Sequence, residues 1–82
     1  MSIESMRKEI DAVDDELVAL LKARFDLSVA IGEEKKKKDL PVYDAEREAA
    51  LLSRLEQQAA PYGGEVRVLY EKIMELSRKL QA

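Results

Sequence analysis

Charged and polar side chains interrupt the apolar face of the first helical segment of this sequence. Arg24 occupies a position in the apolar seam, and Ser28, Gly32 and Lys35 follow it by four, eight and eleven residues on about the same side. Two small residues between two cations predict a hollow beside the helix, and arginine suits a carboxylate or phosphate bidentately. The alternative is that Arg24 snorkels or pairs with a carboxylate across an interface.

Arg7 lies at the edge of the same seam, near the start of the chain. It precedes Arg24 by 17 residues, which is roughly 25 Å at the rise of an α-helix. Arg7 could therefore reach the hollow only from the partner of an antiparallel pair of chains. An interfacial salt bridge is the alternative role for this side chain.

Polar residues also share or border the apolar faces of the two later segments. Arg47 and Glu48 precede a run of leucines at helical spacing, and Asp44 lies one turn earlier. Ser77 and Gln81 are one turn apart in the third segment. The structural alternatives are an N-cap for Asp44 and an ion pair between Arg47 and Glu48. For the third segment, the structural alternatives are that Ser77 bonds back to the preceding turn and that Gln81 is solvated.

The combination of these polar residues favours an anion site that works by electrostatics. The chain has no Cys and no His, which removes thiol chemistry, the usual zinc sites and His-based acid–base catalysis. The polar set contains no nucleophile–base pair and no set of metal ligands, so we expect no covalent or acid–base chemistry, no metal and no cofactor. The net charge of −3 argues against nucleic acid. No apolar run is long enough to span a bilayer, so we expect a cytoplasmic protein.

Three helices must position these side chains. Apolar residues recur in the first segment at steps of three and four, which predicts one long helix over about 3–36; they are Ile3, Met6, Ile10, Val13, Leu17, Leu20, Leu27 and Ile31. Pro41 stops this helix, and Asp44 caps a second over about 44–59. Pro61 and two glycines precede a third over about 65–81. The sequence therefore predicts a single all-α domain spanning residues 1–82.

The length of the first helix predicts a second copy of the chain. A helix of about 34 residues is roughly 50 Å long, whereas a globule of this size is only about 25 Å across. The apolar seam is therefore too long for its own chain to cover, and small domains without disulfides or metals often gain stability by association. We expect the seam to pack against the same helix of a second protomer.

Two motifs carry a resemblance to a known family. An Arg-x-x-Ile-Asp start occupies residues 7–11, and a Pro-Val-x-Asp-x-x-Arg-Glu element occupies residues 41–48. Further matching residues accompany these motifs: Leu20-Leu21-Lys22-Ala23-Arg24, Ile31-Gly32, Lys35, Ser77 and Gln81. With them, the chain resembles the all-helical (type II) chorismate mutases over nearly its whole length.

The resemblance implies an intertwined homodimer with two active sites, each built mostly from one chain. The implied reaction is the Claisen rearrangement of chorismate to prephenate, on the route to phenylalanine and tyrosine. This reaction is pericyclic and needs no covalent intermediate, which agrees with a site that has cations and amides but no nucleophile. The resemblance also extends to the mutase domain fused to some DAHP synthases, so a DAHP synthase domain is a possible partner.

By resemblance, Lys35 and Gln81 would donate hydrogen bonds to the ether oxygen of chorismate, where negative charge grows as the C–O bond breaks. Arg24 would bind the side-chain carboxylate of the substrate. Arg7 from the partner chain would bind a carboxylate across the interface, and Ser77 would contact the ring carboxylate.

The remaining roles fall on the start of the second helix. Glu48, together with the backbone at Asp44, would hold the ring hydroxyl, and Arg47 would support the carboxylate region. Retention of Glu48 favours the mutase over isochorismate-pyruvate lyase, a pericyclic enzyme on the same scaffold. Two non-catalytic alternatives stay open: a regulatory domain that senses chorismate or prephenate for a DAHP synthase, and a structural helical dimer.

Overall fold

Three helices account for most of the chain in a computed structural model, which describes residues 2–82. Helix α1 spans Ile3–Lys37, α2 spans Ala45–Gln58 and α3 spans Gly63–Gln81. No strand occurs among the described residues, and the all-α prediction is confirmed. The long axis of the molecule measures 54 Å because α1 extends well beyond the other two helices.

Local capping explains where α1 begins and ends. The Ser2 hydroxyl accepts a hydrogen bond from the backbone N–H of Ser5 at 3.0 Å, as an N-cap does. At the other end Asp39 adopts a left-handed conformation with φ of 53°. The N–H of Leu40 then bonds to the carbonyl of Lys35 at 2.8 Å, which completes a Schellman motif. This reversal returns the chain toward Lys35 before α2 begins.

Helix α3 begins at Gly63, two residues before the predicted start at Glu65. The carbonyl of Tyr62 accepts from the N–H of Val66 at 3.0 Å, so both glycines are drawn into the first turn. A side chain at Gly63 would meet the backbone oxygen of Glu56 at 2.7 Å, because the end of α2 passes directly over it. Tight packing between α2 and α3 at this turn favours the earlier start.

The small core lies around α3, which packs against both other helices. Leu51 of α2 and Ile73 and Met74 of α3 are its buried apolar residues. Within the described part of the chain, α1 and α2 do not pack against each other. A space bounded by all three helices is left between them.

The small residues of α1 mark its crossing with α3. A Cβ atom added to Gly32 would lie 2.6 Å from the Cα of Gln81. The buried hydroxyl of Ser28 likewise lies 3.1 Å from that of Ser77. The expectation that both small residues open a hollow beside α1 is therefore wrong at Gly32, whose space is filled by the backbone of α3.

The apolar seam of α1 is left uncovered by its own chain. Ile3, Ile10 and Leu20 expose 67%, 58% and 67% of their surface, and the other seam residues are exposed as well. An apolar strip of this length on one side of a helix is a feature of association surfaces. Across the described residues, no helix is both long and apolar enough to cross a membrane.

We predict that Gly32→Ala destabilises the protein although alanine favours the helix. The new methyl group would overlap backbone atoms of Gln81, which cannot rotate away as a side chain can. Overpacking of this kind costs about 1–3 kcal/mol. Chemical denaturation measures the free energy of unfolding.

Gly64→Ala is the matched control, because a Cβ at Gly64 meets no atom within 4 Å. This substitution should leave stability unchanged or raise it by up to about 1 kcal/mol. Equal stability of the two variants would contradict the close approach of α1 and α3 at Gly32.

Candidate active site

A cavity of about 420 Å³ opens between the three helices, a size suited to a small organic ligand. Its polar lining includes seven of the eight predicted site residues: Arg24, Lys35, Asp44, Arg47, Glu48, Ser77 and Gln81. Its apolar lining consists of Leu27, Ile31, Val42, Leu51 and Met74. Two further polar residues, Ser28 and Arg78, complete the wall.

Lys35 joins three parts of the chain at one end of the cavity. Its ammonium donates to the carbonyl of Val42 at 2.7 Å and to Oε1 of Gln81 at 2.8 Å. These bonds link α1 to the loop before α2 and to the last turn of α3. An ammonium has three protons, so one donor remains for a ligand.

The contact with Lys35 also fixes the orientation of the Gln81 side chain. An ammonium needs an acceptor, so the amide oxygen of Gln81 faces it. The amide nitrogen, which carries two donors, is thereby turned away from Lys35. Lys35 and Gln81 can therefore present N–H groups to the same acceptor in the cavity.

Arg24 is held by groups from two helices and is only partly exposed. Its Nη1 donates to the Ser77 hydroxyl at 2.8 Å, and its guanidinium lies 5.6 Å from the centroid of the Tyr70 ring. Ser28 bonds to the backbone oxygen of Arg24 at 3.1 Å and also lies within reach of Ser77. These contacts leave other N–H groups of Arg24 available to an anion in the cavity.

Glu48 forms an ion pair with Arg78 of α3, a residue that the sequence patterns did not indicate. The suggested ion pair between Glu48 and its neighbour Arg47 is therefore wrong, because neighbouring helical residues point in different directions. Helical spacing could have revealed Arg78, since it lies four residues after Met74 and three before Gln81, both of which line the cavity. Its guanidinium also lies 5.3 Å from the ring centroid of Tyr43.

The start of α2 supplies the rest of the polar wall. The Asp44 carboxylate accepts from the backbone N–H of Arg47 at 3.0 Å, so Asp44 is the N-cap that the sequence predicted. The Arg47 side chain is exposed at the cavity mouth. Arg7 does not line the cavity and lies near the far end of α1.

The cavity is positively charged although the chain as a whole carries −3. Four cationic side chains line it, against the two carboxylates of Asp44 and Glu48. A surplus of two positive charges in a partly enclosed space attracts an anion, and most strongly a dianion. Outside this cavity, a hydrogen bond from Lys72 and its charge, aided by Lys79, lower the pKa of Glu75.

These groups can position an anion and stabilise charge that develops on it. The lining includes hydrogen-bond donors from α1 and α3 and one paired carboxylate acceptor from α2. The described residues contain no cluster of His, Cys, Asp and Glu that could hold a metal ion. The arrangement therefore suits a reaction whose transition state differs from its substrate mainly in charge distribution and shape.

The sequence model of the family described as chorismate mutase type II matches residues 6–82. A solved structure, described as a conserved hypothetical protein from Pyrococcus furiosus, superposes with a TM-score of 0.84 at 39% identity. That match covers 98% of this chain and 95% of the other.

Two curated relatives match about three quarters of this chain. The bifunctional chorismate mutase/prephenate dehydratase of Aquifex aeolicus is 40% identical over 63 residues, which is 76% of this chain and 17% of that protein. The T-protein of Enterobacter agglomerans is 38% identical over 61 residues, which is 74% of this chain and 16% of that protein. The chain thus spans about a sixth of the length of these relatives.

We predict that Ser77→Ala lowers the free energy of unfolding by about 1–3 kcal/mol, because Arg24 and Ser28 both lose a buried partner. Ser53→Ala, on an exposed face of α2, is the matched control and should change stability by less than about 0.5 kcal/mol. Urea denaturation compares the two variants. Indistinguishable unfolding curves would mean that the Ser77 network contributes nothing to the fold.

Proposed function

The chain belongs to the chorismate mutase type II family, and we propose that it catalyses the Claisen rearrangement of chorismate to prephenate in aromatic amino acid biosynthesis. One observation carries the proposal: the cavity combines a surplus of two positive charges with hydrogen-bond donors at one end and the Glu48 carboxylate as an acceptor. Chorismate is a dicarboxylate with an ether oxygen and a ring hydroxyl. The cavity thus has a complementary group for each of these features.

The distribution of charge supports an orientation for the substrate. Arg24 would bind the side-chain carboxylate, with Arg47 adding positive charge at the mouth, and Ser77 would contact the ring carboxylate. Glu48, with the backbone at Asp44, would hold the ring hydroxyl. Apolar residues from all three helices would hold the substrate compact, as bond formation between its two ends requires.

Of the proposed catalytic residues Lys35, Gln81 and Arg24, the first two would contribute most to the rate enhancement. In the rearrangement the ether C–O bond breaks while a C–C bond forms, and negative charge grows on the ether oxygen. The free ammonium proton of Lys35 and the amide N–H groups of Gln81 would stabilise that charge. Because their partners already hold these donors in place, little reorganisation is needed during the reaction.

We also propose that two copies associate along the exposed seam of α1 and that Arg7 completes the cavity of the partner. The uncovered apolar strip supports the association. Arg7 lies 17 residues from Arg24 on one continuous helix, which is roughly 25 Å, so an antiparallel partner is the route by which it would reach a site. The cytoplasmic location expected from the sequence stays a prediction, as does a DAHP synthase partner.

Lys35→Ala should abolish most of the turnover. Loss of a donor at a developing oxyanion lowers kcat about 10²–10³-fold. Lys36→Ala is the matched control, because Lys36 is its exposed neighbour on the same helix and does not line the cavity. The disappearance of chorismate, followed by absorbance, measures kcat and KM. Equal rates for the two variants would contradict the proposed role of Lys35.

Assays of the wild-type protein with chorismate and isochorismate, together with its melting temperature, separate the rival functions. Wild-type protein that releases pyruvate from isochorismate, without forming prephenate from chorismate, would be a lyase. Protein that binds chorismate and turns over neither substrate would be a sensor domain. Failure of a transition-state analogue to raise the melting temperature would favour a structural dimer without a binding site.

A complementation experiment tests the role of Arg7. Arg7→Ala and Lys35→Ala chains should each be nearly inactive, but mixed dimers would contain one site with both residues intact. Random exchange makes half of the dimers mixed, so the mixture should recover about a quarter of wild-type activity. No recovery, despite exchange shown by mass spectrometry, would mean that Arg7 does not act on the partner's site.

A further inference from the structure

We infer that Arg78 is a positioning residue of the proposed reaction, acting through Glu48. This inference depends on the proposed function, because Glu48 is the group that would hold the ring hydroxyl of the substrate. Arg78 lines the cavity on α3, and its guanidinium forms an ion pair with the Glu48 carboxylate on α2. No motif in the sequence pointed to it.

The ion pair between Arg78 and Glu48 orients the Glu48 carboxylate. Glu48 exposes 20% of its side chain and Arg78 exposes 33%, so the pair is partly shielded from solvent. The hydrogen bond uses Nη1 of Arg78 and Oε1 of Glu48. It therefore fixes the direction of the carboxylate and leaves Oε2 as the acceptor for a ligand.

Arg78 is itself held in place from its other side by Tyr43. Its guanidinium lies 5.3 Å from the centroid of the Tyr43 ring, within the range of a cation–π contact. Tyr43 directly follows Val42, whose carbonyl accepts from Lys35. The loop before α2 is thus attached to α1 through Lys35 and to α3 through Arg78.

A comparison within the molecule separates this role from simple helix packing. Arg67 of α3 makes an analogous contact with Glu56 of α2, at 3.3 Å and with both side chains more than 40% exposed. Arg67 lies three turns before Arg78 and does not line the cavity. Two Arg–Glu pairs therefore join α2 and α3, and only the pair at the cavity contains a proposed substrate-binding group.

The test measures kcat, KM and melting temperature for Arg78→Gln and for the control Arg67→Gln. The ring hydroxyl is present in both the substrate and the transition state. A misdirected Glu48 should therefore weaken the binding of both. Arg78→Gln should therefore raise KM roughly tenfold with kcat changed less than about threefold. Arg67→Gln should lower the melting temperature by about as much as Arg78→Gln does, while its KM stays at the wild-type value.

Two further variants show whether the effect passes through Glu48. In a Glu48→Gln background, Arg78→Gln should raise KM less than about twofold further, because the group it positions is already altered. Arg78→Lys keeps the charge but loses the planar guanidinium, and it should restore KM in part.

The outcomes are distinguishable. A wild-type KM in Arg78→Gln, or the same rise in KM with and without Glu48→Gln, would overturn the positioning role while leaving the mutase proposal intact. A wild-type protein that does not convert chorismate would overturn the proposed function and this inference with it.

Discussion

The close approach of α1 and α3 is the constraint on which the candidate site depends. At Gly32 there is no room for even a methyl group, because the backbone of Gln81 occupies that space. One turn away, the hydroxyls of Ser28 and Ser77 meet inside the contact. This crossing brings the last turn of α3 within hydrogen-bond distance of the cations of α1. Larger residues at Gly32 or at Ser28 would separate the donors of α1 from those of α3.

The polar network of the cavity links the helices as well as presenting groups to a ligand. Lys35 bonds to the loop and to α3, Arg24 bonds to Ser77, and Glu48 pairs with Arg78. A ligand that engages these side chains would thus meet groups already held by neighbours. Preorganisation of this kind suits a reaction without a covalent intermediate, in which the protein contributes mainly orientation and a fixed electrostatic field.

The single chain leaves the apolar seam of α1 exposed, and the length of this helix explains why. Its buried apolar core is small, whereas the seam of α1 is exposed along most of its length. A chain of 82 residues cannot surround a helix that extends along a 54 Å axis. Association of two copies would bury that surface, and it would also bring Arg7 toward a site that it cannot reach within its own chain.

The sequence by itself determined the elements and most of the site. Apolar spacing and local caps depend on near neighbours, so they predicted three helices, the N-cap Asp44 and seven residues that line the cavity. The tertiary structure decided what depends on distant residues. It filled the space beside Gly32 with α3, and it paired Glu48 with Arg78 across two helices. Periodicity gives the face on which a side chain lies, whereas only the packing of helices determines which side chain it meets.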